Sequence, residues 1–316
     1  MSDPGTGLIH QALFYDRDEE FLAATAGFCL DGLKAGDTVL AVTTAANIGL
    51  LRDHLGAAAG EVEFVDARDW YEAPGRTLAA YGRYVDEHEA DGRLVRIIGE
   101  PVWHGRDGLE EAEWTRYESV INAAFAGSAA WIICPYDERA LPAHVVANAR
   151  RTHPELLAGG ETLESAKYED PYAFVCEGDG LPLPPPPDGA GESLLELRLP
   201  DCDLAEVRRR AGDHTRALGL PPDRVQRLVT ALNELATNVL RHGGGQGRVL
   251  IWPEGGRIVC DVSDRGRLLT PFPGYIPPDP AAPNGHGLWV VRQLCDLLQV
   301  RATPEGSRFR IHLARA

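Results

Sequence analysis

Several familiar signatures are missing from this chain of 316 residues. It has no Gly-x-x-x-x-Gly-Lys-Ser/Thr, so nucleotide binding through a P-loop is unsupported. The six cysteines, Cys29, Cys134, Cys176, Cys202, Cys260 and Cys295, include no Cys-x-x-Cys, and several lie in apolar stretches where a free thiol behaves as a small hydrophobe. Neither a zinc site nor a disulfide scaffold is indicated. No stretch approaches membrane-spanning length, and the opening MSDPGTGLIHQ lacks the basic region and apolar run of a secretory leader. The expectation is a cytoplasmic protein without membrane contact. A basic surface is also lacking: the net charge is -16, and residues 1–180 carry 18 net negative charges while residues 181–316 carry two net positive. That balance argues against direct nucleic-acid binding. The cluster Arg208-Arg209-Arg210 reads first as an exposed helix face.

The most informative segment present is LVTALNELATNVLRHGG, residues 228–244. Leu228, Ala231, Leu232, Leu235 and Val239 form a broad apolar stripe at helical spacing, and Glu234 and Asn238 lie beside it, four residues apart on one face. A carboxylate and a carboxamide so placed can reach one hydrated cation, and hard oxygen ligands suit magnesium beside phosphates. The helix stops at His242 before three glycines. Two later segments have matching polarity. RIVCDVSDRG, residues 257–266, alternates like a strand and ends in Asp264-Arg265-Gly266, where a carboxylate can accept from an exocyclic amine and glycine permits close approach of a flat ring. Asn284-Gly285-His286-Gly287-Leu288-Trp289 opens the expected helix LWVVRQLCDLL, residues 288–298, and glycines at a helix entrance leave N–H groups free to face an anion.

Each pattern alone is weak, but in this order they resemble the N, G1 and G2 boxes of the GHKL ATPase superfamily. The compact form is similar to the anti-sigma-factor Ser/Thr kinases. The resemblance implies ATP and Mg2+ as cofactors, Glu234 as general base, Asn238 as the magnesium ligand and Asp264 as the adenine reader. Gly266, Gly285, Gly287, Leu288 and His242 complete the implied cofactor-binding set. It also implies an anti-sigma antagonist protein or a sigma factor as partner, and is compatible with a homodimer. One departure stands out: the second glycine of the G1 box is replaced by Leu268. Leucine does not readily take positive φ, so the loop is expected to run differently or stand further from the nucleotide. A nucleotide-sensitive module with weak turnover, acting by partner sequestration, is therefore the alternative reading. A histidine kinase is disfavoured, since no long amphipathic helix bearing a His precedes the domain. The Pro-rich and Gly-rich segment from Leu268 to Gly285 is expected to form a stiff, non-helical lid without a basic residue after Arg267. Gly306-Ser307 reads first as a plain hairpin turn, with the small-residue turn that closes the pocket in relatives as the alternative the resemblance implies.

The domain division follows from LPLPPPPDGAGES, which reads as a semi-rigid spacer over 181–193, between residues 1–180 and 194–316. The C-terminal part is expected to be a GHKL (Bergerat-type) α/β sandwich with a mixed, largely antiparallel sheet and helices on one face. In the N-terminal part, buried strands alternate with helices, as in a mainly parallel α/β sheet. HQALFY, GLKAGDTVLAV, GEPVW, WTRYESVINAAF, WIICPYDER and ARRTHPEL, spread over residues 8–157, resemble a MEDS-type sensory domain. The resemblance implies a RecA-like fold without a P-loop and a small-molecule signal. Glu100, Tyr136, Asp137 and His10 fall near strand ends where a pocket would lie, although each reads first as a structural hydrogen-bonding residue. Trp70, Trp103 and Trp114 suit an aromatic lining or the core.

Overall fold

The computed structural model describes residues 7–89, 93–179, 182–188, 191–268, 272–278, 285–303 and 305–315. Residues 1–6 of the opening segment, Asn284, lid residues 269–271 and 279–283, linker residues 181, 189 and 190, and Pro304 of the second hairpin lie outside them. Two compact units are present, Met1–Glu72 with Thr77–Phe174 and Ala73–Arg76 with Val175–Ala316.

The first sheet is assembled from β1 (Ile9–Tyr15), β2 (Thr38–Thr43), β3 (Glu63–Asp66), β4 (Val95–Gly99), β5 (Ala130–Asp137), β6 (Glu155–Ala158) and β7 (Glu161–Glu164), in the order β3-β2-β4-β5-β1-β6-β7. Between them run α1 (Asp18–Ala35), α2 (Ala45–Leu55), α3 (Ala67–Trp70), α4 (Pro74–His88), α5 (Gly108–Ala124) and α6 (Ala143–Thr152), and α7 (Pro171–Asp179) follows. All pairings are parallel except β6 with β7. Strand β4, VRIIG, is buried at every residue. A parallel sheet covered on both faces buries its central strands throughout, and the one charge here, Arg96, is paired with Asp37 at 2.7 Å. Helix α1 starts with Asp18, Glu19 and Glu20 at its positive end and stops at Gly36, whose φ of 79° is left-handed. Its Phe21 and Cys29 join Leu51 and Ile98 in a core where all four are fully buried.

The second unit continues with β8 (Leu195–Leu199), α8 (Leu204–Ala217), α9 (Pro222–His242), β9 (Gly247–Glu254), β10 (Arg257–Asp264), α10 (His286–Leu294), β11 (Leu297–Thr303) and β12 (Gly306–Ala314). The sheet order is β11-β12-β10-β9-β8. Every described pairing in it is antiparallel, in line with the expected largely antiparallel sheet. The α10 crossover does set β11 parallel to β10, but the hairpin return β12 lies between them and pairs with both. The helix expected over residues 288–298 begins at His286 and stops at Leu294, because Leu297 and Leu298 pair with His312 and Ile311. Val207, Leu228, Leu235, Ile251, Val262 and Ile311 are fully or almost fully buried in one core beneath the helices. Each such side chain contributes on the order of 1.5–3 kcal/mol by leaving water. The other face of the sheet carries a small cluster of Leu250, Trp252 and Val259. Beside it, Arg310 and Asp261 form a sealed ion pair at 2.7 Å. Part of the Pro-rich segment is docked here rather than acting as a free spacer: Leu183 is buried, and the Pro184 carbonyl accepts from Arg310 Nη2 at 2.8 Å.

Candidate functional site

Helix α9 supplies the first wall of the site. Pro222 is preorganised for the first turn, Val225, Leu228, Leu232, Leu235 and Val239 turn inward, and the Gly243 N–H closes the last turn on the Val239 carbonyl at 2.9 Å. This phase leaves Glu234 and Asn238 half-buried at the edge of the apolar stripe. Both face Gly287 at the start of α10: a Cβ there would lie 3.1 Å from Glu234 Oε2 and 3.5 Å from Asn238 Nδ2. A methyl group at position 287 would therefore occupy the space in front of the carboxylate and the amide.

Strand β10 supplies the second wall. At its end, Asp264 Oδ1 accepts from the Gly266 N–H at 2.6 Å, while burial pushes the Asp264 carboxyl above the ordinary carboxylate range despite that bond. The backbone closes tightly around this turn. A Cβ on Gly266 would lie 2.6 Å from the His242 carbonyl oxygen, and one on Gly243 would lie 2.8 Å from Asp264 Cβ. Register places Ser307 of β12 opposite Asp264, and its hydroxyl donates to the Gly266 carbonyl at 3.0 Å. Ser307 is thus a wall residue rather than part of a plain hairpin turn, the alternative that the family resemblance offered.

Helix α10 and the described part of the lid complete the cavity. Gly285 is the N-cap with φ 101° and has no side chain to cap the helix start, so among the described residues the first N–H groups are left for an external acceptor. Residues 272–278 form turns without regular helix or strand. They are held by buried Arg292 of α10, whose Nε donates to the Pro273 carbonyl at 2.7 Å and whose guanidinium lies 3.5 Å from the centre of the Tyr275 ring. The enclosed volume is about 620 Å³. Asn238, His242, Asp264, Gly266, Gly285, Gly287 and Leu288 all line it, whereas Glu234 stands at Gly287 without being part of the lining. Gly243, Phe272, Ile276, Ser307 and Phe309 are further lining residues that sequence spacing does not single out. Exposed Arg267 brings a cation to the wall. Leu268 lines the cavity and packs against the core, so the departure from the G1 pattern is absorbed as an apolar contact.

The donor chemistry fits a magnesium nucleotide. There are hard oxygens on Asn238 and Glu234, a carboxylate at the far wall, free helix-start N–H groups, and glycines where a Cβ would fill the cradle. A cavity of this size falls in the range of small-molecule sites.

The N-terminal candidates separate. The Glu100 carboxylate is buried and accepts from Tyr15 Oη at 3.2 Å, Asn47 Nδ2 at 2.9 Å, the Thr44 N–H at 3.3 Å and the Thr43 hydroxyl. It is a satisfied structural group. Asp137 is held below the ordinary carboxylate range by its hydrogen bond with Arg139 at 2.8 Å. Tyr136, Trp103 and Trp114 are core residues, and Trp70 is half-buried against Tyr81. An 800 Å³ cavity does exist in this unit, but Gln11, Phe14, Arg96, Trp131, Glu138 and Arg150 contribute to its walls and none of the named candidates does. His10 lies elsewhere, in a sealed polar cluster.

Comparison with known proteins was made on this geometry. Residues 9–154 match the MEDS family, described as the MEthanogen/methylotroph, DcmR Sensory domain, and residues 198–313 match the Histidine kinase-like ATPase domain. No curated protein matches the chain. Among solved structures, the RsbU and RsbW domains of Rv1364c from Mycobacterium tuberculosis are similar at 17% identity with a TM-score of 0.30. That match covers 38% of this chain and 32% of the other, so the chain spans about a third of that structure's length. Among the described residues, no helix is long and apolar enough to cross a membrane.

Proposed function

Starting from a chain that carries a MEDS domain followed by a histidine kinase-like ATPase domain, we propose a sensory regulator of phosphoryl transfer. The proposed division is residues 1–180 for sensing, 181–193 as connector and 194–316 for ATP, in a cytoplasmic protein. The ATP-binding domain acts as a Ser/Thr protein kinase of the anti-sigma-factor type. Its substrate is an antagonist protein, with a sigma factor as a second partner. The observation that carries this reading is the meeting of Glu234 and Asn238 at Gly287, on the rim of a cavity whose far wall is Asp264.

Asn238 Oδ1 offers the metal a hard ligand, and Asp264 accepts from the exocyclic amine of the base. Gly266 allows the ring to lie close to the main chain, and the helix-start N–H groups of α10 face phosphate oxygens. Magnesium, when bound, neutralises charge on the phosphates. Glu234 takes the proton of the attacking hydroxyl as its oxygen bonds to the γ-phosphorus, and the β–γ bridging bond breaks with its electron pair leaving on ADP. Positioning and charge neutralisation supply most of the acceleration in such chemistry.

Leu268 in the lining favours a second reading, in which ATP binds but turnover is slight and partner capture is the function. Purified protein with labelled ATP, magnesium and a panel of antagonist-type proteins separates the two. Label on a partner Ser or Thr that is lost in Glu234→Ala and Asn238→Ala is the kinase result. ATP binding without transfer across the panel is the result of the capture module, and acid-labile label on the protein itself would overturn both.

A further inference from the structure

The first unit contains a polar cluster with no role in the reading above. His10 on β1, Glu118 on α5, Cys134 on β5 and His153 after α6 are all buried, and their ligand atoms lie within 4.8 Å of one another. The sheet brings two of them together: Ala12 pairs with Cys134, so His10 and Cys134 share one face of adjacent strands. Helix α5 adds the third, its frame set by a capping box in which Asp107 accepts from the Glu110 N–H and Glu110 returns to the Asp107 N–H.

Hydrogen bonds fix which ring nitrogens face the centre. Asn122 Nδ2 donates to the Thr152 carbonyl at 2.7 Å and the Ser119 carbonyl at 3.2 Å, so Asn122 Oδ1 must be the acceptor for His10 Nδ1–H at 3.0 Å. His153 Nδ1 donates to the Ala149 carbonyl at 2.8 Å. With both Nδ1 atoms used as outward donors, the Nε2 edges of the two rings are the ones turned toward the centre. Both Nε2 atoms therefore point inward, at Glu118 Oε2, from 3.8 and 3.5 Å. Neither Glu118 Oε2 nor His153 Nε2 has a hydrogen-bond partner. Two imidazole nitrogens and the Glu118 carboxyl converge in a dry interior around Cys134, whose thiol reaches His10 Nε2 at 3.4 Å, and the unpaired Glu118 Oε2 and His153 Nε2 cost free energy there unless a cation sits between them.

The spacing identifies the cation. The separations of 3.5 and 3.8 Å are too long for hydrogen bonds between oxygen and nitrogen. Tetrahedral bonds of the length found for zinc to nitrogen, oxygen and sulfur give ligand-to-ligand edges of roughly 3.3–3.8 Å. The 3.5 Å edge from His153 to Glu118 and the 3.4 Å between Cys134 Sγ and His10 Nε2 fall in this range, while the 3.8 Å from His10 to Glu118, at its upper end, would shorten by a few tenths of an ångström on loading. We propose that His10, Glu118, Cys134 and His153 form a closed four-coordinate site for a divalent first-row transition metal, zinc by its donor set. Two neutral imidazoles, one carboxylate and one thiolate make the loaded site electrically neutral, which suits full burial. The outer ring nitrogens are already oriented by Asn122 and the Ala149 carbonyl, as second-sphere partners of a metal are. With four protein ligands, no position is left for water, so the metal ties β1, α5, β5 and the residue after α6 together rather than performing hydrolysis.

The test uses the untagged full-length chain. Elemental analysis after exhaustive dialysis should find about one equivalent of zinc per chain, and a strong chelator should lower its melting temperature. Cobalt added to the stripped protein should give the intense visible bands of four-coordinate cobalt together with a thiolate-to-cobalt charge-transfer band. An oxygen-only site such as one at Asn238 cannot produce the latter. Cys134→Ser should lose that band, whereas Cys176→Ser, at the exposed cysteine, should keep it. A natively folded wild-type chain that retains less than a tenth of an equivalent of metal and shows no cobalt bands would overturn the proposal. So would a band that follows Cys176 instead of Cys134. Because the wild-type titration needs no variant, misfolding of Cys134→Ser leaves the test intact.

Discussion

The two units dispose of polar side chains in opposite ways. In the first unit, titratable groups such as His10 and Glu118 are sealed between the parallel sheet and its helices, where they meet only other protein groups. In the antiparallel sheet, Glu234, Asn238 and Asp264 sit where the helical layer meets the strand ends, half-buried around a cavity. Sealed polarity holds a fold together, and rim polarity is available to a ligand. The difference originates in coverage: helices on one face of a sheet leave an edge at which polar groups stay in contact with solvent.

The sharpest way to test that contrast is at the rim. Glu234→Gln should lower phosphoryl transfer by about 10²–10⁴-fold, the contribution usual for a general base, with little change in melting temperature or nucleotide affinity. Comparable loss of stability would place Glu234 among the structural groups instead. The complementary test is at a sealed pair. Arg96 Nε meets Asp37 at 2.7 Å in the first unit, with both side chains nearly buried, and Arg96→Met should cost about 3–5 kcal/mol in denaturant unfolding while leaving nucleotide binding intact. Arg310→Met, at the sealed pair on the far face of the second sheet, should cost a similar amount. Equal losses would show that burial, rather than the choice of unit, decides the outcome.

Gly266→Ala stands between the two classes. Its Cβ would press on the His242 carbonyl and the Gly243 Cα, so we expect a loss of about 1–3 kcal/mol together with weaker nucleotide binding by calorimetry. The smallest effect on stability belongs to Asp264→Asn. Burial raises the Asp264 pKa, so its stabilising contribution is present below the ordinary carboxylate pKa and is lost as pH rises through the raised value. At neutral pH the charged form is the strained one, and the Asn variant should melt at the same temperature or slightly higher while binding nucleotide more weakly. The melting difference should vanish on acidification. A variant that melts lower at pH 7 would mean that the carboxylate is needed by the fold.

Much of the rim was legible because its determinants are local. Helical period places Glu234 beside Asn238, a strand end exposes Asp264, and Gly285 and Gly287 open a helix. Ser307 was suggested only by the family resemblance and not by local pattern, since it reaches the site through the β10–β12 register. Phe272 and Ile276 depend on the path of the lid, which is set by a buried arginine in another element. The sealed cluster is the extreme case. His10, Glu118, Cys134 and His153 have no local spacing to reveal them, and a reading based on Cys-x-x-Cys patterns excludes a zinc site for that reason. The largely antiparallel character of the second sheet was legible from its hairpins, whereas its strand order, with β12 between β10 and β11, emerges only from the pairing.

The grip of Arg292 on the lid has a consequence for how this site can diversify. The guanidinium donates to the Pro273 carbonyl and, at 3.3 Å, to that of Leu298, so it reads main-chain path rather than side-chain identity. Phe272, Ile276 and Pro278, which face the cavity, are spared the work of anchoring. Mutation can therefore resculpt what the cavity accepts while the clasp that shapes it stays in place.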